Sequence, residues 1–289
     1  MSARQENAGQ EDAGQENVSQ KNASLENAGQ EYKAAASRHA PCYRENPEHK
    51  GIVVFIHGFM GSPRHFDRFA EQVYQQGFST YALLLPAHDC SAKTFASGTA
   101  EMWQEYVDAE IARVSGSYER IILAGHSMGG LLALSAALRS PDKINGVVVI
   151  ESPLKLAVFS AKANISRARF IFSRKSNPIK AEGLAVLSVR RTPDLLWHVI
   201  RPFSELKKLM RDTTRALPGV RAPVTAVYSL SDELVSIASL DILRKGVSEA
   251  GFKQVVLSNS THCFYPGNER YEVEQALIGA LQPQAESNL

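Results

Sequence analysis

Cysteine is scarce in this 289-residue chain: Cys42, Cys90 and Cys263 lie far apart and form neither a CxxC pair nor a Cys/His ligand cluster. That excludes a disulfide framework, leaves no metal site to expect, and suits reduced thiols in a cytoplasmic protein. Long apolar runs are missing too. None approaches the roughly 20 residues that cross a bilayer, and the first residues lack the basic and apolar regions of a secretory signal. The expectation is a soluble cytoplasmic protein with no transmembrane segment. Net charge is equally thin, since 32 Lys and Arg against 30 Asp and Glu leave +2. Nothing in that balance calls for nucleic acid as a partner.

What is present begins with a repeat. Residues 6–30 read ENAGQ-EDAGQ-ENVSQ-KNASL-ENAGQ, five copies of a pentapeptide. A period of five matches neither a helix stripe nor a strand face, and each unit offers only Ala, Val or Leu to bury. Such a segment cannot recover its ordering entropy, so residues 1–31 read as a disordered tail. Residues 32–50 read as a lead-in, with order beginning near Gly51.

From Gly51 onward, short apolar runs alternate with segments of helical spacing. Ile52–His57, 78–85, 121–124, 147–150, 223–230 and 253–258 read as strands, the continuous apolar ones as strands buried on both faces. Helices are expected over 63–76, opened by Ser62-Pro63 and stopped by Gly77, and over 99–114, 128–138, 236–249 and 268–281. The alternation predicts the α/β class: a doubly wound, mainly parallel sheet. The core would span 51–152 and 216–289. Residues 153–215 break the rhythm, being far longer than a crossover needs. They carry 14 Lys/Arg against 4 Asp/Glu and read as an inserted helical cap.

The chemistry concentrates at Gly125-His126-Ser127-Met128-Gly129, a G-x-S-x-G run between an apolar strand and an apolar helix. A sharp strand-to-helix turn there would strain Ser127, require small neighbours, and lift the hydroxyl over the sheet edge at the positive end of the helix. Serine needs a base to take its proton and an acid to orient that base. Of eight histidines, His39 and His49 precede the core, and His57 and His126 sit at strand ends suited to structural hydrogen bonds. His65 falls in a first helical turn, His88 in a loop and His198 in the cap. His262, in the loop after strand 253–258, is the candidate base. Asp232 is the first carboxylate past strand 223–230 and the candidate acid, with Glu233 as rival and Asp241 as a more distant one. Two backbone amides should receive the oxyanion: Met128, after the nucleophile, and Phe59 in His57-Gly58-Phe59-Met60-Gly61-Ser62.

These residues, with Ser231-Asp232-Glu233-Leu234-Val235, resemble the α/β-hydrolase family, and within it bacterial carboxylesterases and monoacylglycerol lipases. The likeness covers about residues 51–282. It implies the chain order Ser, Asp, His, a covalent acyl-enzyme, no cofactor, and a cap that shapes substrate choice. Two features depart from the pattern: Pro86-Ala87-His88-Asp89 stands where family members often read P-G-H-G, and the cap is unusually cationic. The expected partner is a small-molecule ester, short or medium in acyl chain, monoacylglycerols included. A basic cap adds transient contact with an anionic lipid surface as one reading and a plain solvated face as another. A thioesterase, amidase or carbon–carbon hydrolase on the same residues stays open, as does a catalytically silent binding module.

Overall fold

A computed structural model of the chain describes residues 39–48, 50–88, 91–157, 188–189, 194–248 and 251–282. The repeat tail and much of the expected cap lie outside them. Seven strands are described: β1 (Cys42–Arg44), β2 (Ile52–Ile56), β3 (Ser79–Leu83), β4 (Ile121–His126), β5 (Ile144–Ile150), β6 (Val224–Ser229) and β7 (Phe252–Leu257). They form one sheet in the order β1-β3-β2-β4-β5-β6-β7. All neighbours are parallel except β1, which runs antiparallel to β3.

The helices among the described residues are α1 (Asp67–Tyr74), α2 (Ala92–Phe95), α3 (Ala100–Val114), α4 (Met128–Arg139), α5 (Leu195–Ala216), α6 (Ala238–Gly246) and α7 (Gly267–Ala280). Alternation along the strands sorts the core into two layers, because successive side chains point to opposite faces. Ile52, Val54 and Ile56 join Leu123, Val147, Val149 and Tyr228 under α3, α4, α5 and α6. Val53 and Phe55 join Ile122, Val148, Ile150 and Val227 under α1 and α7. Both faces of β2 are covered and each of its five residues is fully buried. That explains its uninterrupted apolar run.

Two expectations change. Order does not begin near Gly51: β1 pairs with β3, and Arg44 lies over the Tyr74 ring, 3.4 Å from its centroid, while forming an ion pair with Glu71. The expected helix from Pro63 starts as a 3-10 turn, Pro63–Phe66, before α1. Ser62 precedes it with an extended backbone, but its hydroxyl makes no cap bond and is buried without a partner among the described residues. The stop at Gly77 holds, with φ +88 and its N–H donating to the Tyr74 carbonyl at 3.0 Å. Thr99 caps α3, its hydroxyl accepting the Met102 N–H at 3.1 Å.

Within the expected cap, 158–187 and 190–193 fall outside the described residues. The helix α5 begins inside it and runs one residue past its expected end. Leu206 and Leu209 on α5 belong to the main core, whereas Trp197 is 77% exposed.

Sheet order reverses at β2, whose neighbours β3 and β4 lie on opposite sides. The loops leaving the carboxyl ends of β2 and β4 therefore open a crevice, the usual ligand position in open α/β sheets.

Candidate active site

Ser127 occupies the turn between β4 and α4 with φ 54 and ψ −123, a left-handed conformation that costs a non-glycine residue roughly 1–3 kcal/mol. Close packing holds it there. A Cβ on Gly125 would meet the Gly129 carbonyl oxygen at 2.2 Å, and one on Gly129 would meet the Ile56 carbonyl oxygen at 1.9 Å. The flanking glycines are thus a steric requirement of the turn. The Ser127 N–H continues the β5 ladder, donating to the Ile150 carbonyl at 2.8 Å, and its carbonyl accepts from Gly130 N–H and Ser152 Oγ. Met128 is the first residue of α4, so its N–H has no intrahelical acceptor.

The loop after β2 comes directly against this turn. A Cβ on Gly58 would lie 2.9 Å from the Ser127 Cβ. The left-handed residue of this loop is Met60, with φ 59. Gly61 N–H closes the turn onto the Gly58 carbonyl at 2.9 Å. His57 anchors the loop from below: its Nε2 accepts the Leu85 N–H at 3.0 Å and its Nδ1–H donates to the Gly58 carbonyl at 2.9 Å. Phe59, between them, packs its ring on Phe95, Trp103 and, from α5, Phe203. Ala87 stands where the family pattern has glycine and itself takes φ 64, so that loop keeps a glycine-like backbone.

Asp232 and His262 meet in the loops after β6 and β7. Nδ1–H of His262 donates to Asp232 Oδ2 at 2.7 Å, with both side chains almost wholly buried. Asp232 Oδ1 accepts the N–H groups of Leu234 at 2.6 Å and Val235 at 2.8 Å. Burial raises the Asp232 carboxyl, but His262 and these bonds outweigh it and hold the group below its usual range. The rival Glu233 sits differently, its Oε2 accepting the His262 backbone N–H at 3.1 Å. Asp241 lies on α6, paired with Arg244.

Three further groups shape these loops: Glu269 carries no distinctive sequence signal, His126 at the end of β4 makes the structural hydrogen bond expected of it, and His65 falls in the turn that follows Pro63. Glu269 on α7 accepts the N–H groups of Ser258 and Asn259 and the Ser260 hydroxyl, the last at 2.6 Å. It thereby fixes the stretch leading to His262. His126 donates Nε2–H to the His262 carbonyl at 2.7 Å, tying the β4 turn to the β7 loop. His65 stacks on His126 at 4.0 Å, and His126 faces His262 at 4.7 Å. Burial, together with His65 and His262, drives the His126 imidazole far below its ordinary value, so it is neutral.

His65, His126 and Cys263 each offer a ligand atom within 4.8 Å of the other two. Burial pushes the Cys263 thiol up, which keeps it protonated.

The alpha/beta hydrolase family profile matches residues 53–272. A thermostable monoacylglycerol lipase of Bacillus sp. (strain H-257) is 26% identical over 77% of this chain and 86% of its own length. A carboxylesterase of Bacillus subtilis (strain 168) is 21% identical over 80% of this chain and 92% of its own. Among solved structures, one described for LipS and LipT, two metagenome-derived lipolytic enzymes, superposes with a TM-score of 0.66 at 21% identity, covering 85% of this chain and 98% of that one.

Proposed function

Because this chain belongs to the alpha/beta hydrolase family, we propose that it is a serine hydrolase that cleaves carboxylic esters through Ser127, His262 and Asp232. The observation that carries the reading is the buried Asp232–His262 contact of 2.7 Å, with Ser127 on the adjoining strained turn. The lipase and carboxylesterase relatives support the choice of ester bond.

In this mechanism Asp232 holds the imidazole with Nδ1 protonated, so Nε2 is the nitrogen that takes the Ser127 proton. The alkoxide oxygen attacks the ester carbonyl, and the N–H groups of Phe59 and Met128 receive the negative charge that develops on oxygen. The proton then passes from His262 to the leaving alcohol, giving an acyl-Ser127. Water repeats the cycle, and the carboxylic acid departs. All atoms come from substrate, water and these side chains.

Residues 153–215 would cover this site as a cap. The approach of Phe203 on α5 to Phe59 supports that placement. Exposed Leu196, Trp197 and Ile200 on α5, beside the cationic Arg201, Lys207 and Lys208, support transient contact with an anionic lipid surface. Among the described residues no helix is long and apolar enough to cross a membrane.

A fluorophosphonate probe tests the core of this reading. Wild type should be labelled and Ser127→Ala spared; an unlabelled wild type would favour a silent binding module. Turnover of p-nitrophenyl esters of increasing chain length, beside a monoacylglycerol and an acyl thioester, then fixes the bond and the acyl length. A preference for the thioester would overturn the ester assignment.

A further inference from the structure

The end of β5 carries an acid that the reaction above does not use. Glu151 is completely buried. Its backbone has φ 50, and its N–H donates to the Val227 carbonyl at 2.9 Å, which pins it beside β6. Neither carboxyl oxygen has a hydrogen-bond partner of ordinary geometry among the described residues, although the group interacts with the Asp232 carboxylate and, more weakly, with the Ser229 backbone. Around this pair stand Tyr228 from β6, Glu233 from the loop after it, and Cys263 and Tyr265 from the loop after β7. Tyr228 is already committed, its hydroxyl donating to the Ser152 carbonyl at 2.8 Å.

An apolar side chain would fill this place without an unsatisfied carboxyl, and a glycine would adopt the backbone without strain. Two carboxyl groups sharing one dry site cannot both ionise. Asp232 has two amides and His262 to favour its charge. Burial and the Asp232 charge push Glu151 well above the ordinary carboxylate range.

We propose that Glu151 is a positioning residue: a neutral carboxylic acid that shares its proton with Asp232 and so sets how firmly Asp232 holds the His262 imidazolium. The proposal rests on the Ser127–His262–Asp232 reading. No bond of the substrate passes through Glu151; its proton stays between the two carboxyl groups throughout. When His262 takes the Ser127 proton, the pair carries one negative charge rather than two. Shared over both acids, that charge attracts the imidazolium less than an unshared Asp232 would.

The test is the pH profile of kcat/KM for wild type, Glu151→Gln and Glu151→Leu. Glutamine stays neutral and keeps an N–H donor, so its acid limb should coincide with wild type. Leucine removes the donor, concentrates charge on Asp232 and favours the imidazolium. Its acid limb should move to higher pH by about one unit. An unmoved limb in a folded Glu151→Leu, or an equal movement in Glu151→Gln, overturns the proposal. Infrared difference spectra give a second measurement that needs no apolar variant. Wild type at neutral pH should show a carboxylic-acid C=O band that vanishes in Glu151→Gln, and its absence from wild type overturns the proposal as well. Failure of the triad reading registers separately, as lost fluorophosphonate labelling of wild type, and the infrared band still decides Glu151.

Discussion

Gly58 approaches Ser127 so closely that a methyl group on the first would lie 2.9 Å from the Cβ of the second, and 3.3 Å from His126 Nδ1. The loop after β2 and the turn after β4 are therefore in backbone contact, and the position of the Phe59 amide depends on that contact. Gly58→Ala must move one of them. A displacement near 1 Å at a reacting centre costs on the order of 10²-fold, so kcat/KM on a p-nitrophenyl ester should fall by about that factor. Thermal denaturation would show whether the fold survives. Unchanged turnover in a folded variant would remove Phe59 N–H from the oxyanion role.

The two neighbouring acids, Asp232 and Glu233, should separate sharply in kinetics. Asp232→Asn keeps the size but loses the charge that orients His262, and kcat should drop by roughly 10⁴. Glu233→Gln still offers a carbonyl oxygen to the His262 backbone N–H. Exchanging a charged for a neutral acceptor there is worth about 1 kcal/mol, or close to fivefold. A larger loss in Glu233→Gln than in Asp232→Asn would shift the orienting role by one position.

Glu269 gives a prediction that couples stability to activity without touching substrate. Its carboxylate gathers the N–H groups of Ser258 and Asn259 and the Ser260 hydroxyl. Glu269→Ala leaves those donors without their acceptor and should lower stability by about 1–3 kcal/mol, read by urea denaturation. Because the same stretch leads into His262, kcat should fall while KM changes little. A stability loss with intact kcat would confine Glu269 to a structural role.

Comparison of these residues shows what the sequence makes legible. The buried strands were readable because both faces of β2, β4 and β5 are covered, and the apolar residues run on without alternation. The turn at Ser127 is readable because its steric requirement falls on Gly125 and Gly129, each two residues from the serine. Strand β1 was not, since Cys42, Tyr43 and Arg44 are all exposed and form an antiparallel edge with no apolar signature. Glu269 and Glu151 read as ordinary acids at an element's end, because what distinguishes them is the burial imposed by distant loops. The left-handed backbones at Met60 and Ala87 were hidden for a related reason. Tertiary contacts impose there a conformation that sequence reasoning assigns to glycine.

Two buried histidines define how the fold should respond to acid. His88 is 3% exposed, its Nε2 has no partner among the described residues, and burial lowers its pKa to about 4. His65 is half-buried, its Nε2 is screened and has no hydrogen-bond partner among the described residues, and burial, then His262, lowers it to about 3. Both values lie below the unfolded value near 6.5, so below that pH the unfolded chain binds protons that the folded chain refuses. Stability should therefore be highest above about pH 6.5 and decline as pH falls toward 4. Each histidine should add a slope of about 1.4 kcal/mol per pH unit in that window. Urea denaturation at successive pH values measures the slope. His88→Gln and His65→Gln, which cannot titrate, should each reduce it. An undiminished slope in both variants would mean that the acid sensitivity arises elsewhere, with His126, more deeply buried between His65 and His262, as the next group to replace.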